Sequence, residues 1–255
     1  MTTATDDTPM SLLITGASSG IGAACARLAA RPGLHLLLHY GRNTEGAQKV
    51  ADSARSLGSE VTLIQADVAD PEDITRLGQE AAAASDPALP FQLINNAGIV
   101  DTRASLADMT HERLTRMFAV NTVAAFLVAK EAVALMRRQG AGGAIVNVSS
   151  AAARLGSANQ FMDYAASKGA IDTFTIGLAD ELAPEGIRVN AVRPGLIETE
   201  IHAKGGDADR TTRLIRGVPL GRTGTVEEVA EAILWLLSDR ASYVTRTLVD
   251  VAGGR

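Results

Sequence analysis

The sequence predicts an α/β fold: a Rossmann-like, doubly wound parallel β-sheet of about seven strands, with helices on both faces in a three-layer α/β/α arrangement. Three observations support this prediction. Short apolar segments alternate with longer helical segments along the chain, as in parallel-sheet proteins. Several short segments are apolar at nearly every position, which is typical of strands buried on both faces. The chain has 255 residues, of which 46% are hydrophobic, enough for a large core.

The predicted strands are runs of about five to seven residues, bounded by turn-forming residues. In chain order they are Ser11–Thr15, Leu34–His39, Val61–Gln65, Phe91–Asn95, Ala144–Ser149, Ile187–Arg193 and Thr247–Val251. The predicted helices lie between them, near residues 20–30, 44–57, 71–84, 110–138, 158–183 and 225–238. Glycine and proline mark where helices end, for example at Gly58, Gly140 and Pro184.

The same alternation predicts one domain over residues 11–255, preceded by a flexible, polar N-terminus over residues 1–10. The segment 197–221 interrupts the pattern, because it is polar and contains Gly205 and Gly206. We interpret it as a substrate-loop insertion above an active-site face.

Charge and composition exclude several classes of function. The net charge of −5 lacks the basic surplus of a nucleic-acid-binding protein. One cysteine cannot form an intramolecular disulfide, and four scattered histidines show no metal-ligand spacing, so no metal site is expected. We find no apolar run that reaches the roughly 18 residues that a membrane helix needs, and no targeting peptide, and therefore expect a cytoplasmic protein.

The turn after the first strand is rich in glycine. It reads T-G-A-S-S-G-I-G from Thr15 to Gly22 and is followed by an alanine-rich helix. Glycines allow a backbone to approach a phosphate closely, and the helix N-terminus offers N–H groups and a partial positive charge. The turn therefore predicts a site for a dinucleotide pyrophosphate, although a glycine-rich turn alone also occurs for structural reasons.

This loop, with later motifs in the same order, resembles the short-chain dehydrogenase/reductase family over nearly the whole chain, from about residue 11. The later motifs are Asp67-Val68, Asn95-Asn96-Ala97-Gly98, Asn121, Ser149-Ser150, Tyr164-Ala165-Ala166-Ser167-Lys168 and Pro194-Gly195-Leu196-Ile197-Glu198-Thr199. The resemblance implies hydride transfer between a nicotinamide cofactor and a carbonyl or secondary alcohol. The resemblance, together with the residues at the end of the second strand, implies a set of cofactor-binding residues: Gly16, Ser18, Ser19, Gly20, Ile21, Gly22, Tyr40, Arg42, Asn43, Asp67, Val68, Asn95, Asn96, Ala97, Gly98, Tyr164, Lys168, Pro194, Gly195, Ile197 and Thr199.

Four residues are the predicted catalytic set: Asn121, Ser150, Tyr164 and Lys168. Tyr164 and Lys168 are four residues apart and share a helix face. A nearby cation favours the phenolate form of a tyrosine, so this pair suits proton transfer. The resemblance implies that Ser150 orients the substrate oxygen and that Asn121 holds a water in a proton relay. An asparagine in a helix can instead be satisfied by a backbone carbonyl.

The spacing between the serine and the tyrosine departs from the family pattern. In the family, the serine usually lies thirteen residues before the tyrosine, whereas Ser150 lies fourteen residues before Tyr164, and position 151 is Ala. We infer a one-residue insertion within 154–163, a segment expected to line the pocket. The alternative to an insertion is that this chain has lost the catalytic serine of the family. Ser149 is the weaker candidate, because strand alternation points it the other way.

The end of the second strand bears on cofactor choice. An NAD site places an acid there to bind the ribose 2′-hydroxyl. Here that position is Tyr40, and Arg42 follows, which suits a 2′-phosphate. We therefore expect NADP(H) to be preferred and NAD(H) to be possible, with a solvated surface role for Arg42 as the alternative. Glu45 is weak evidence for NAD(H) instead, because it is an acid but lies past the end of the second strand.

The sequence thus predicts an oxidoreductase with a small-molecule substrate. A 3-oxoacyl reductase and a sugar or polyol dehydrogenase both remain open. A catalytically weak, cofactor-binding regulatory protein on the same fold is the alternative from another class. The resemblance also implies a homotetramer, consistent with long helices, 110–138 and 158–183, that carry apolar residues on more than one face.

Overall fold

The sheet has seven parallel strands in the order β3-β2-β1-β4-β5-β6-β7. The structure is a computed structural model and describes residues 8–198 and 215–255. The strands are β1 Met10–Ile14, β2 Leu34–Tyr40, β3 Glu60–Gln65, β4 Phe91–Asn95, β5 Gly143–Val148, β6 Ile187–Pro194 and β7 Leu248–Val251. In the central register, Leu13 is paired with Leu37 on one side and Leu93 on the other. The predicted fold class is confirmed.

Eight α-helices of the described residues connect and cover these strands. They are α1 Gly20–Ala29, α2 Thr44–Ser56, α3 Pro71–Ala84, α4 His111–Phe118, α5 Ala124–Gln139, α6 Ala152–Leu155, α7 Met162–Leu182 and α8 Val226–Leu237. Capping hydrogen bonds explain where several of these helices begin. Asn43 accepts a hydrogen bond from Gly46 N, Asp70 accepts one from Glu72 N, and Thr225 forms a capping box with Glu228.

Two apolar cores lie on opposite faces of the sheet. On one face, side chains of β1 and β2 such as Leu12 and Leu36 pack with α1, α2 and α8. On the other, Leu13, Leu37 and Leu93 pack with α3, α5 and α7. Successive strand residues therefore enter different cores, which explains why the strands are apolar at nearly every position.

Three of the differences from the sequence prediction have a clear structural reason. The N-terminal segment predicted to be flexible includes Met10, but Met10 begins β1, because its N–H donates to Gly33 O and it pairs with Leu34. The helix predicted over 110–138 contains a π-helical segment, Ala119–Val123, between α4 and α5. The helix predicted from 158 begins at Met162, because the preceding residues form a loop with Ser157 and Asn159 at positive φ.

The continuous helical stretch His111–Gln139 is long and apolar enough, by length and composition alone, to cross a membrane. Half of its most apolar window is buried inside the fold, and the core helix of a globular protein gives the same signal. This stretch corrects the expectation that no segment would pass such a test.

Loops that follow β1, β4, β5 and β6 meet at the carboxyl edge of the sheet. The strand order changes direction between β1 and β4, and open α/β sheets bind ligands at such a switch point. Of the predicted insertion over 197–221, the structure describes residues 197–198 and 215–221. Ile197 forms a bridge with Gly224, which follows the insertion. Residues 199–214 lie outside the described part.

Candidate active site

The glycine loop after β1 is shaped by close contacts that exclude side chains. Gly16 has a positive φ of 67°, and a Cβ there would lie 3.1 Å from Ala97 Cα. A Cβ at Gly22 would collide with Gly16 O. Ser19 is the N-cap of α1, yet its side chain makes no capping hydrogen bond. The first N–H groups of α1 therefore face the loop without a side-chain cap.

Polar side chains join the glycine loop to the turn after β4. Thr15 Oγ1 accepts hydrogen bonds from the backbone N–H of Asn96 at 2.8 Å and of Ala97 at 2.9 Å. Asn96 Nδ2 donates to Thr15 O at 2.8 Å and to Gly16 O at 3.2 Å. These bonds fix the two turns against each other at the switch point.

His39, in β2, holds the same loop from its other side. Its Nδ1 accepts a hydrogen bond from Gly16 N at 3.1 Å, and its Nε2 lies 3.1 Å from Ala66 O. These two bonds require the neutral ring with its proton on Nε2. Burial lowers the pKa of His39, an effect partly opposed by its bond to Ala66 and by Asp67 and Asp73. The ring is therefore neutral at physiological pH.

A cavity of about 480 Å³ opens along this edge of the sheet. Its walls come from the glycine loop, the turn after β4, the end of β5, the loop before α7 and the end of β6. The predicted site residues that line it are Gly16, Ser18, Ser19, Gly20, Ile21, Asn96, Ala97, Gly98, Ser150, Tyr164, Lys168, Pro194, Gly195 and Ile197.

Tyr164 and Lys168 lie one turn apart on α7 and both face this cavity. Lys168 Nζ is 5.9 Å from the centre of the Tyr164 ring and donates to Val148 O at 2.8 Å. Complete burial lowers the pKa of Lys168 to about 8, and Asp172, one turn further along α7, opposes that shift. A lysine with this pKa is still mainly charged at neutral pH, and its charge favours the phenolate form of a nearby tyrosine.

Asn121 lies in the π-helical segment, beside Lys168. Its Oδ1 accepts from Ile99 N at 2.7 Å, and its Nδ2 donates to Ile99 O at 2.9 Å and to Ser167 Oγ at 3.1 Å. The side chain is thus occupied by protein groups, as in the alternative that the sequence left open. Gly98 lies against it, since a Cβ there would come within 3.2 Å of Asn121 Oδ1 and 3.4 Å of Lys168 Nζ.

The two serines after β5 have different surroundings. Ser149 is buried, and its Oγ donates to Lys168 O at 3.1 Å. Ser150 is more exposed, and its Oγ accepts from Ala152 N at 3.1 Å, which leaves its own proton for another acceptor. The segment in which we infer an extra residue forms the end of α6 and the loop Gly156–Phe161, whose Ser157, Ala158, Gln160 and Phe161 line the cavity.

A buried ion pair fixes the start of α7. Arg113 Nε, from α4, lies 2.7 Å from Asp163 Oδ2, and the Asp163 side chain is fully buried. Asp163 directly precedes Tyr164. The pair therefore ties α4 to the helix that carries the predicted acid/base.

Known proteins are similar to this chain over almost its full length. A family described as enoyl-(acyl carrier protein) reductase matches residues 16–255. The uncharacterized oxidoreductase YgfF of Escherichia coli K12 is 46% identical over 95% of this chain and 98% of its own. The cis-4-hydroxycyclohexanecarboxylate dehydrogenase of Sinomonas cyclohexanicum is 38% identical over 95% of this chain and 94% of its own. A short-chain type dehydrogenase/reductase structure from Mycobacterium marinum superposes with a TM-score of 0.90 at 33% identity, covering 98% of this chain and 96% of that one.

The chain belongs to the short-chain dehydrogenase/reductase family. It is therefore an oxidoreductase, and the resemblance found in the sequence is confirmed. The family implies a nicotinamide dinucleotide, and the loop geometry fits one. The positions of Gly16 and Gly22 leave no room for side chains, and the uncapped start of α1 can receive a pyrophosphate.

In this short-chain dehydrogenase/reductase, the end of β2 lies beside the glycine loop. A Cβ at Gly46, in the first turn of α2, would come 2.5 Å from Ser18 O. Tyr40 ends β2 and is 8% exposed. Glu45 pairs with Lys49 at 2.6 Å, whereas the Arg42 side chain is exposed and has no partner among the described residues.

The remaining predicted cofactor residues lie near this edge but outside the cavity wall. Gly22 is in α1, and Asn95 ends β4, where its Nδ2 donates to Ala125 O at 2.9 Å. Asn43 caps α2. Asp67 and Val68 follow β3, and the Asp67 N–H donates to Asp73 Oδ2 at 2.7 Å. Thr199 lies outside the described residues.

Some residues at the site were not among those predicted. Two of them, His39 and Thr15, hold the glycine loop by hydrogen bonds. Three others line the cavity: Gln160, Phe161 and Arg255. Thr15 and His39 could have been found from the sequence, because both lie at strand ends next to the predicted loop. No sequence pattern indicates Arg255, because its position depends on a tertiary contact with Arg154 of α6.

Proposed function

We propose that this protein transfers a hydride between NADP(H) and a carbonyl or secondary alcohol, with Tyr164 as the general acid/base. The observation that carries the proposal is the Tyr164–Lys168 pair, which faces one cavity together with the glycine loop. The cofactor would supply the hydride at its nicotinamide ring.

Each catalytic side chain has a task in this proposal. In the direction of reduction, Tyr164 donates its phenolic proton to the substrate oxygen as negative charge develops there. Lys168 stabilises the resulting phenolate, because its buried charge lies near the ring. Ser150 Oγ donates a hydrogen bond to the same oxygen. Asn121 keeps the turn after β4 in place through its two bonds to Ile99.

We also propose that NADP(H) is preferred. Arg42 supports this preference, because it is exposed beside the glycine loop and has no partner among the described residues; so does Tyr40, which stands where an NAD site has an acid. A guanidinium can bind a 2′-phosphate by charge-assisted hydrogen bonds, which contribute about 1.5–3 kcal/mol, or roughly ten- to a hundredfold in affinity. Glu45 is a poor alternative ligand for the ribose, because Lys49 holds its carboxylate.

The experiment that tests the function follows the absorbance of reduced nicotinamide with a panel of 3-oxoacyl esters, cyclic ketones, sugars and polyols. We expect turnover of at least one class, with a higher kcat/KM for NADPH than for NADH in the reductive direction. Tight cofactor binding with no turnover of any class would favour the regulatory alternative.

Arg42→Ala tests the cofactor preference within the same assay. We expect a rise in KM for NADPH of roughly tenfold or more, and almost no change for NADH. Arg240→Ala is the matched control, because Arg240 is exposed, lies in the short 3-10 helix Asp239–Ala241 that follows α8, and does not line the cavity. A parent enzyme that uses NADH more efficiently would contradict the assignment.

A further inference from the structure

A largely buried ion pair joins β6 to the helix that carries Tyr164 and Lys168. Arg193 of β6 lies with Nη2 2.8 Å and Nε 3.0 Å from Oδ2 of Asp172 on α7. The two side chains are 17% and 11% exposed. Removing two charges from water costs free energy, and apolar side chains of similar size often give equal or greater stability. Stability alone is therefore a weak explanation for this pair.

The position of Arg193 in β6 explains why its side chain faces α7. Side chains alternate between the two faces of a strand, and Ile187 and Val189 pack in the core that contains α7. Arg193 lies an even number of residues from both and therefore shares their face. It directly precedes Pro194 and Gly195, which line the cavity. The ion pair thus ties this part of the cavity wall to the catalytic helix.

Asp172 is the link between Arg193 and Lys168. It lies one turn beyond Lys168 on α7, so the two side chains are neighbours on one helix face, with about 5–6 Å between their Cβ atoms. Asp172 is 8% exposed and Lys168 is 4% exposed. Charges interact strongly at such a distance when water is excluded. Burial lowers the pKa of Lys168 to about 8, and the charge of Asp172 opposes that shift.

Other charged groups on the elements around α7 are paired elsewhere, bound to backbone or exposed. Arg188 of β6 donates to the backbone carbonyls of Leu236 and Leu237, β5 carries no charged residue, and the remaining charged residues of α4 are exposed. The ion pairs are Arg113 with Asp163, Arg154 with Asp250, and Arg137 with Glu185. Asp250 also lies 4.0 Å from Arg193. Within the described part of the chain, Asp172 is thus the acid that acts on Lys168.

Arg193 holds the carboxylate of Asp172 through one oxygen. Both of its contacts reach Oδ2, whereas Oδ1 is buried and accepts no hydrogen bond from the described residues. If Arg193 were removed, the carboxylate would lose these hydrogen bonds and its counter-ion, and burial would then disfavour its charged form. Arg193 therefore maintains both the charge and the orientation of Asp172.

We propose that Arg193 is a positioning residue for the reaction, and that it acts on Lys168 through Asp172. This inference rests on the proposed function. In this role Arg193 does not touch the substrate. It holds Asp172 ionised, which favours the ammonium form of Lys168 that stabilises the Tyr164 phenolate. A direct effect of Arg193 on Lys168 would have the opposite sign, because both are cations.

The first test follows the titration of Lys168 by NMR, in protein whose lysines are labelled with ¹³C at Cε. The chain has four lysines, and the signal missing in Lys168→Met is that of Lys168. We expect a midpoint at about pH 8 in the parent. Arg193→Met should lower it by about half a pH unit or more. Arg246→Met is the matched control and should leave it unchanged, because Arg246 pairs with Asp180 at an exposed position of α7.

A double variant, Arg193→Met with Asp172→Asn, decides the question if Arg193→Met does not fold, because it leaves neither partner buried as an unpaired charge. Its midpoint should equal that of Asp172→Asn alone. A higher midpoint in the double variant would overturn the inference, because Arg193 would then act on Lys168 directly. An unchanged or raised midpoint in Arg193→Met would overturn it as well.

The second test measures kcat/KM for ketone reduction against pH. In Arg193→Met the alkaline fall should move to lower pH with the Lys168 midpoint, whereas Arg193→Lys, which keeps the charge, should retain the parent profile. A shift of the same size in Arg193→Lys would contradict a role through charge. A parent protein that reduces no ketone would contradict the proposed function, and the NMR titration would still decide whether Arg193 acts on Lys168.

Discussion

At the scale of single residues, burial sets the protonation state of the groups around the site. Lys168 and His39 are both basic, and desolvation lowers the pKa of each. The outcomes differ because Lys168 starts from a higher value and stays mainly charged at neutral pH, whereas His39 becomes neutral. One group can therefore stabilise a phenolate while the other accepts a hydrogen bond from the glycine loop.

His39 predicts an acid-dependent loss of stability. Its folded pKa is below the unfolded value of 6.5, so the unfolded chain takes up this proton first as the pH falls. Above about pH 7 the neutral His39 makes its full contribution to the free energy of unfolding. This contribution is lost as the pH drops through 6.5 towards the folded pKa, and the free energy of unfolding then falls by up to about 1.4 kcal/mol per pH unit.

The measurement is urea unfolding of parent and His39→Asn between pH 5 and 8. Asparagine retains an oxygen near the Nδ1 position but does not titrate in this range. We expect a less stable variant whose free energy of unfolding changes less with pH. Parallel curves for the two proteins would contradict the role of His39.

Asp172 predicts a shift in the pH profile of activity. Its charge raises the pKa of Lys168, against the effect of burial. In Asp172→Asn, Lys168 should lose its proton at a lower pH, and the alkaline fall in kcat/KM should move to lower pH with it. Asp180→Asn, on the exposed side of α7 and paired with Arg246, should leave the profile unchanged. Identical profiles in both variants would rule out this coupling.

At the scale of elements, the helix carrying Tyr164 and Lys168 is fixed by contacts that span the sequence. The Arg113–Asp163 pair joins it to α4. The π-helical segment Ala119–Val123 brings Asn121 into contact with Ile99 and Ser167. A π-bulge changes which residues of a helix face a neighbour, and such segments are frequent at functional sites.

We predict that breaking the buried Arg113–Asp163 ion pair lowers the free energy of unfolding more than breaking an exposed ion pair does. Asp163→Ala leaves the largely buried Arg113 guanidinium without its partner, which should destabilise the protein by about 3–5 kcal/mol and lower turnover. Glu185→Ala removes the partner of Arg137 in an exposed pair and should destabilise the protein much less than Asp163→Ala does. Chemical denaturation measures both values. A similar small cost for the two variants would mean that the buried pair contributes little.

At the scale of the whole molecule, part of the surface of α5 and α7 is apolar. Phe126 stacks on Phe174 with ring centres 3.7 Å apart, yet Phe126 remains 46% exposed and Val123 50% exposed. On α7, Gly169 and Gly177 leave open space above the backbone. A surface of this kind, with apolar residues beside small ones, suits another helix pair.

We therefore propose assembly into a homotetramer through α5 and α7, the oligomer that the family resemblance implies. Light scattering should give a mass of about four chains at micromolar concentration. Phe126→Glu should reduce that mass, because it places a charge in the apolar contact, whereas Leu57→Glu, also at an exposed apolar position, should not. A monomeric parent protein would contradict the assembly.

The sequence predicted the sheet and most of the helix bounds, because strands buried on both faces and glycine-marked ends are local signals. It also predicted Tyr164 and Lys168, since a four-residue spacing fixes their common face before the fold is known. It did not predict His39 or Arg255, whose partners lie far along the chain, nor the π-helical segment. It assigned Asn121 to a water in a proton relay, which stays a prediction, and it did not foresee that Ile99 holds the Asn121 side chain.

The measurement that tests the central claim most directly is Tyr164→Phe, assayed for ketone reduction and, separately, for cofactor binding by fluorescence titration. The substitution removes the phenolic oxygen and leaves the ring. The proposed role predicts a fall in kcat of about a hundredfold or more, with the dissociation constant of NADPH nearly unchanged. A variant that turns over within a few-fold of the parent while binding NADPH normally would show that Tyr164 is not the acid/base.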